Sequence, residues 1–443
     1  MEFSPLTVIA GTNASGKSNL FDALKLLSRL AETDLKTAFS EQRGEALELF
    51  TQYGGDSYAT EMEFAVEMLV DQEVRDKFGG EAKLKYTRLR YELRISRNKN
   101  ERGIEDLFVI KENLNALRYD EDVWAASFIP KNTLEHWRPK VGTGKRGNPY
   151  ILTTDRGIDV PQDGRAGSKR EFASNKNTQT ILSSFYTVEF PHALAAKEEI
   201  RNWRFLQLNP EELRKPSSYL AKDTITSTGG NLAAALHRIK TQDEYVIKDI
   251  SRKLNSVLPG ITDLDVFDDK LGNQFIIKVK TLDGREFTSR VLSEGTLRLL
   301  TLCVFEYDES FKGVLCFEEP ENGVHPAGLK ITAELLKNLA VDFGDKEDFL
   351  RQVIVNTHSP VLISNVFTLK ADQVATVWFS ELVTLITTIS GARKSLQTTK
   401  MLPVNSGGHQ PSLIPSENEK NLALSKANDY LANMHFEKLD YKF

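Results

Sequence analysis

The stretch Leu6-Thr-Val-Ile-Ala10-Gly11-Thr-Asn-Ala-Ser-Gly16-Lys17-Ser18-Asn19 decides how the 443 residues are read. Leu6 to Ala10 is a short β-branched run, and Asn19 to Leu30 carries apolar residues at helical spacing, so the stretch reads as strand, loop, helix. Between the two, Gly11 to Ser18 fits G-x-x-x-x-G-K-[ST] in the context that this motif requires. Its glycines let backbone N–H groups turn inward around phosphates, and the amino end of the helix adds partial positive charge. Lys17 is expected to bridge the β and γ phosphates of ATP, and the Ser18 hydroxyl to bind Mg2+. The expected nucleotide-holding set is Gly11, Asn13, Ala14, Ser15, Gly16, Lys17, Ser18 and Asn19.

A second run, Gly313-Val-Leu-Cys-Phe317-Glu318-Glu319-Pro320-Glu321, is an apolar strand emptying into carboxylates. A parallel strand places its last side chains at the carboxyl edge of the sheet, where the phosphate loop also lies. Glu318 is then placed to hold the Mg2+ shell, and Glu319 to orient or deprotonate an attacking water. An acidic cluster after a strand is by itself a solvated turn; the phosphate loop changes that balance. Ser293 in Val291-Leu-Ser293-Glu-Gly295 caps a helix whose exposed end can receive an anion. Val353-Ile-Val-Asn-Thr357-His358 is a further strand, ending in a histidine that can hydrogen-bond a γ phosphate.

Lys and Arg number 57 and Asp and Glu 62, a net charge of −5, so any contact with nucleic acid must come from a local basic patch. Cys303 and Cys316 sit in apolar surroundings without metal-ligand spacing and read as small core residues. No stretch reaches the ~18 to 20 uninterrupted apolar residues that span a bilayer. The short apolar start lacks the form of a signal peptide, so a cytoplasmic protein with no membrane contact is expected.

Thr60 to Met68 and Tyr86 to Ile95 alternate polar and apolar residues, as in an antiparallel sheet with one wet face. Residues 138 to 180 are rich in Gly, Lys, Arg, Asn and Asp, and an exposed loop is expected there. Helical signals run from Pro191 to Pro259-Gly260. Strands at Gln274 to Thr281 and Glu286 to Val291 lead into the helix from Ser293. After Phe367 the pattern is less legible, with an amphipathic helix expected from Glu419 to Phe436.

The order of phosphate loop, LSEG, EEPENGVHP and NTHSP resembles the ABC ATPase superfamily, in its RecF, SMC and OLD-like branch of soluble AAA-family ATPases. The phrases WRFLQLNPEELRKP, GGNLAAALHRI, LPGI and HPAGL carry the same likeness across most of residues 6 to 366. The resemblance implies an α/β fold, an ABC-type P-loop ATPase head with an antiparallel β lobe and an inserted helical lobe. The head would comprise residues 1–366: a nucleotide-binding lobe from 1–130 and 261–366, a basic flexible loop at 131–190 and a helical lobe at 191–260. Residues 367–443 would be a C-terminal segment contacting a partner. The resemblance makes Ser293 the signature serine, Glu318 the Walker B acid, Glu319 the catalytic glutamate and His358 the switch histidine, with the D-loop near Asn322 to His325. It also implies a homodimer or higher oligomer built head to tail, in which Ser293 and Gly295 of one subunit cover ATP held by Lys17 of the other.

Two departures are evident. Glu318 stands where most ABC proteins carry Asp, a longer reach that allows a slow ATPase. The leading strand and NFRSF-like phrase usual before the phosphate loop are lacking, and no Q-loop is assigned beyond the weak candidate Gln52. No Toprim-like acidic constellation follows His358, so the expected role is control of a separate nuclease subunit, as in the ATPase halves of anti-phage systems such as Septu. A RecF-like DNA repair ATPase and a transporter cassette are the alternatives. The cassette is disfavoured by the long insertion between Gln52 and Val291 and by LSEGT in place of a Gly-Gly-Gln signature. Double-stranded DNA could be met by Lys83, Lys85, Arg88, Arg90, Arg94, Arg97 and Lys99 in the sheet, or by Arg138, Lys140, Lys145, Arg146, Lys169 and Arg170 in the loop. A solvated face interleaved with acids is an equal reading of both groups.

Overall fold

The computed structural model describes all residues except 54–56, 100–104, 140–148, 162–168, 174–176, 370–374, 390–391 and 405–443. Strand β1 (Leu6–Ala10) is buried throughout and runs through the phosphate loop into α1 (Lys17–Leu30), followed by the short α2 (Leu35–Ser40). An antiparallel lobe comes next: β2 (Glu61–Leu69), the small hairpin β3 (Glu73–Arg75) and β4 (Glu81–Lys83), then β5 (Arg88–Lys99) and β6 (Glu105–Ala116). β5 lies between β2 and β6. Exposure alternates along β2, the wet-faced pattern expected from its sequence.

Two short helices, α3 (Val123–Phe128) and α4 (Leu134–Trp137), lead into a three-stranded sheet of β7 (Leu152–Thr154), β8 (Gly157–Pro161) and β9 (Lys169–Ala173). This overturns the flexible loop expected at 131–190 wherever residues are described. Trp137, Tyr150, Ile151, Ile158, Val160, Ile181 and Leu182 are buried there, too thinly spread among glycines and charges to announce a strand. Lys140, Lys145 and Arg146 lie outside the described residues.

Helix α5 (Pro191–Arg201) is followed by β10 (Arg204–Leu206), α6 (Pro210–Arg214), β11 (Ser217–Ser218), α7 (Leu232–Gln242) and α8 (Glu244–Val257). Strands β12 (Ile261–Asp269), β13 (Gln274–Thr281) and β14 (Glu286–Thr288) form a small antiparallel sheet with β11. The chain then returns to the centre through α9 (Glu294–Tyr307), β15 (Gly313–Glu318), α10 (Leu329–Leu339), β16 (Arg351–Asn356) and α11 (Pro360–Thr368). It continues into β17 (Ala375–Ile389) and β18 (Ala392–Val404).

The central sheet has the order β10-β15-β16-β1-β17-β18, parallel except for β18. Its strands feed two cores, because successive side chains point to opposite faces. Leu6, Val8, Leu315, Phe317, Val353 and Val355 pack with α7 to α11 on one face. Ile9, Val314, Cys316 and Ile354 pack with α1, α5 and the antiparallel lobe on the other. Both cysteines are buried and free, as their apolar surroundings predict. The helical stretch from Pro191 therefore divides, with α5 under one face and α7 and α8 over the other.

The division expected at residue 366 falls inside α11, and β17 runs parallel to β1 in the same sheet. The helix expected from Glu419 to Phe436 lies outside the described residues. No helix among the described residues is long and apolar enough to cross a membrane.

Candidate functional site

Three neighbouring parallel strands set the site. Register pairs Ile9 with Asn356 and Asn356 with Glu318, so β1, β16 and β15 end side by side. Backbone bonds extend the ladder one residue further: Thr357 N–H donates to Ile9 O at 3.0 Å, and Glu319 N–H to Asn356 O at 2.8 Å. The phosphate loop, the acidic turn and the histidine loop therefore leave one sheet edge together, as open α/β sheets arrange their crevices.

Gly16 ends the phosphate loop at φ +89, in the left-handed region, and α1 has no side-chain cap at its amino end. The first amides of a helix have no intrahelical carbonyl partner, which makes an uncapped amino end a ready seat for an anion. Lys17 is buried, and its Nζ donates to Gly11 O at 2.8 Å and Thr12 O at 2.7 Å. Burial pushes the ammonium down to about 8, against the fields of Glu319 and Glu321 that hold it up. Asn13, Ala14 and Asn19 are exposed around the loop, and Ala14 also has positive φ.

Glu319 has φ +48, a backbone that a side chain with a Cβ adopts only under constraint; such strain costs of order 1–3 kcal/mol and gathers at functional sites. Its Oε1 lies 2.9 Å from His358 Nε2, and its Oε2 accepts from Asn322 Nδ2 at 2.7 Å. Glu318 is partly buried, and desolvation pushes its carboxyl above the usual range despite the nearby Arg43. Asn356 Nδ2 stands 3.5 Å from Ser18 Oγ.

The arrangement fits a phosphorylated ligand with a hard divalent cation. Ser15 Oγ, Asn356 Oδ1 and Glu321 Oε2 are buried without a hydrogen-bond partner among the described residues. Desolvated polar atoms of this kind are costly unless a ligand or water meets them. Ser18 and Glu318 supply the hydroxyl and carboxylate oxygens that suit Mg2+.

Ser293 does not join this cluster. It is exposed, and its Oγ accepts from Thr296 N–H at 3.2 Å, capping its own helix. Gly295 packs so closely that an added Cβ would stand 2.8 Å from Gly323 O, which joins the signature turn to the turn after Glu319. Gln52 is exposed and bridges Tyr58.

Sequence reasoning missed four contributors. Ser380, on β17, donates from Oγ to Ser15 O at 2.8 Å, and Thr399 on β18 lies against Gly16. The β-branched and aromatic run of β17 was a strand signal, obscured because the motifs end before it. Arg43 pairs with Asp22 at 2.6 Å and extends its field to Glu318. Glu321 holds the histidine loop through three hydrogen bonds.

Five of the basic residues expected to track DNA are paired with acids. Arg90 meets Glu67 and Glu92, Arg94 meets Glu61 and Glu63, and Arg97 meets Glu105. Arg88 and Arg138 are buried around Asp122, and Arg138 also donates to the carbonyls of Leu117, Arg118 and Tyr119. Those two are core residues, not a nucleic-acid surface. Charge along a strand does not reveal the acids opposite it, which register alone supplies.

A phosphate loop leading from a parallel strand, with acids at the end of another parallel strand one place removed in the same sheet, defines a P-loop ATPase domain. The profile of the family described as "AAA domain, putative AbiEii toxin, Type IV TA system" matches residues 6–364, and the chain belongs to that family of AAA ATPase domains. No match was found among curated proteins. Solved structures similar to the chain include an Smc head bound to the C-winged helix domain of ScpA, at 15% identity and TM-score 0.46, covering 91% of this chain and 93% of that one. The Smc head of Pyrococcus furiosus with an extended coiled coil, bound to the C-terminal domain of ScpA, is 13% identical with TM-score 0.43, covering 98% and 94%. The SMC head from Thermotoga maritima is 13% identical with TM-score 0.35, covering 91% and 92%.

Proposed function

We propose that the chain binds Mg-ATP in the Gly11 to Ser18 loop and hydrolyses it, with Glu319 as the base for water and His358 as the group that senses the γ phosphate. The observation that carries this reading is the shared sheet edge, where Glu319 and His358 meet beside a buried lysine. Lys17 leaves the carbonyls of Gly11 and Thr12 for the phosphates, while Ser18 and Glu318 hold Mg2+, which neutralises phosphate charge when bound. Glu319 then takes a proton from water. Ser293, exposed at the start of the helix that it caps and apart from its own subunit's phosphate loop, serves the site of a second subunit, so two heads close head to tail.

The work of this cycle is to gate a separate nuclease subunit in anti-phage defence, in the manner of the Septu ATPases. Support comes from the likeness of the EEPENGVHP and HPAGL phrases and from the toxin named in the family's description. The test is to purify the chain with the products of neighbouring genes and to assay DNA cleavage with and without ATP. Cleavage that responds to ATP and loses that response in Lys17→Ala supports gating. Cleavage indifferent to ATP, or no associated nuclease, overturns it.

A further inference from the structure

Glu321 follows the acidic pair by two residues and is partly buried between the turn that bears Glu319 and the loop that bears His358. A single oxygen, Oε1, accepts from Thr357 Oγ1 at 2.6 Å, His358 N–H at 2.9 Å and Ser359 N–H at 3.2 Å. Thr357 Oγ1 in turn accepts from Ser359 N–H at 2.9 Å. Three donors on consecutive residues thus converge on one carboxylate oxygen carried by a different loop. Charge-assisted bonds of this kind are about twice as strong as neutral ones. They fix the path of the backbone at His358, and with it the 2.9 Å approach of His358 Nε2 to Glu319 Oε1.

We propose that Glu321 is a positioning residue that locks the histidine loop onto the acidic turn, so that His358 and Glu319 act as one unit. The proposal rests on the reading of those two as the hydrolytic pair. Glu321 touches no reacting atom. Its second oxygen is buried without a hydrogen-bond partner among the described residues, so the hydrogen bonds that hold this carboxylate there all come from the His358 loop.

The test uses the full chain carrying Glu321→Ala, Glu321→Gln, Thr357→Val, His358→Ala and the double change Glu321→Ala with His358→Ala. Misplacing a reacting group by about 1 Å can cost up to ~10²-fold, so kcat in Glu321→Ala should fall at least tenfold, with ATP affinity kept within about twofold. The double variant should be no slower than His358→Ala alone, because residues acting as a unit are not additive. Glu321→Gln retains an acceptor oxygen and should recover most of the rate, and Thr357→Val, which removes one donor, should fall between. Multiplicative losses in the double variant, or an unchanged kcat in Glu321→Ala, overturn the proposal. A general loss of fold would instead lower ATP binding and the melting temperature together, and Glu321→Gln and Thr357→Val, which keep side-chain volume, then decide by the same kcat criterion. If His358→Ala itself leaves hydrolysis unchanged, the hydrolytic reading fails separately. The His358 imidazole 15N shifts in the nucleotide-free chain then decide for Glu321: they should move in Glu321→Ala, and unmoved shifts overturn it.

Discussion

His358 Nε2 and Glu319 Oε1 lie 2.9 Å apart, on loops that leave two adjacent parallel strands. The pair is set by backbone register, since Glu318 lies opposite Asn356 and each functional residue follows closely. Glu319→Gln keeps the shape and the bond from Asn322 but cannot take a proton. ATP binding should persist while hydrolysis falls by about 10² to 10⁴, the usual worth of a general base. Steady-state phosphate release beside an equilibrium titration measures the two separately; a wild-type rate would remove Glu319 from the role.

Lys17 supplies a pH dependence. Its ammonium is pushed down to about 8, whereas an ordinary lysine keeps its proton to 10.5. Below about 8 the charge is present before nucleotide arrives. Above it, the proton must be taken up with the phosphates, so affinity should weaken by as much as tenfold per pH unit, and this loss should begin well before lysine's normal range. The guanidinium of Lys17→Arg stays charged throughout, so its affinity, weaker from the start, should be flat over the same interval. Titrating a fluorescent ATP analogue between pH 6.5 and 9.5 distinguishes the two, and a flat wild-type curve would show that Lys17 binds with its proton already in place.

Gly16 joins a backbone requirement to a packing one. It has φ +89, and a methyl there would stand 1.8 Å from Thr399 Oγ1. Gly16→Ala must therefore shift the loop or the β17–β18 hairpin. A cost of about 1–3 kcal/mol in the loop's binding geometry corresponds to roughly 5- to 150-fold weaker ATP binding. Adding Thr399→Ala removes the collision but not the left-handed backbone, so it should restore affinity only in part. Full restoration, read by calorimetry, would assign the whole effect to Thr399.

How much of this was legible follows from the range over which each signal acts. The phosphate loop was plain because its chemistry is local: Gly11, Gly16, Lys17 and Ser18 lie within eight residues of one another, between a strand and a helix. Glu318, Glu319 and His358 were readable as candidates because each lies at or just beyond the end of an apolar strand. Ser380 and Glu321 were not, since their roles depend on partners 365 and 36 to 38 residues away that only topology brings near. Arg138 misled for the same reason: its acid, Asp122, lies across a fold of the chain.

Asp122 offers a test of the packing independent of nucleotide. Its carboxylate is shared by Arg88 Nε at 2.9 Å and Arg138 Nε at 3.1 Å, all three side chains being buried. Asp122→Ala leaves two buried guanidinium groups facing each other. Breaking a buried pair costs about 3–5 kcal/mol, so urea unfolding should shift by that amount. If Arg88 and Arg138 instead formed a DNA surface, the change would leave stability intact and strengthen DNA binding.

The active site is expected to be assembled between two subunits. Ser293 is exposed and bonded to its own helix, whereas Lys17 is buried beside Glu319 and Glu321. In the head-to-tail reading a complete site takes Lys17 from one subunit and Ser293 from the other. Neither Lys17→Ala nor Ser293→Arg alone should then hydrolyse ATP. When the two chains are mixed, one composite site of the heterodimer carries both changes and the other carries none, so activity should return if the sites fire independently. A chain bearing both changes mixed with wild type leaves each heterodimer site with one defect, and that heterodimer should be silent. Failure of the first mixture has two explanations, coupled sites or a wrong trans arrangement, and a crosslink separates them. A cysteine placed at Ser293 should crosslink to the phosphate loop of the neighbouring subunit under coupling, and should not do so if each head completes its own site.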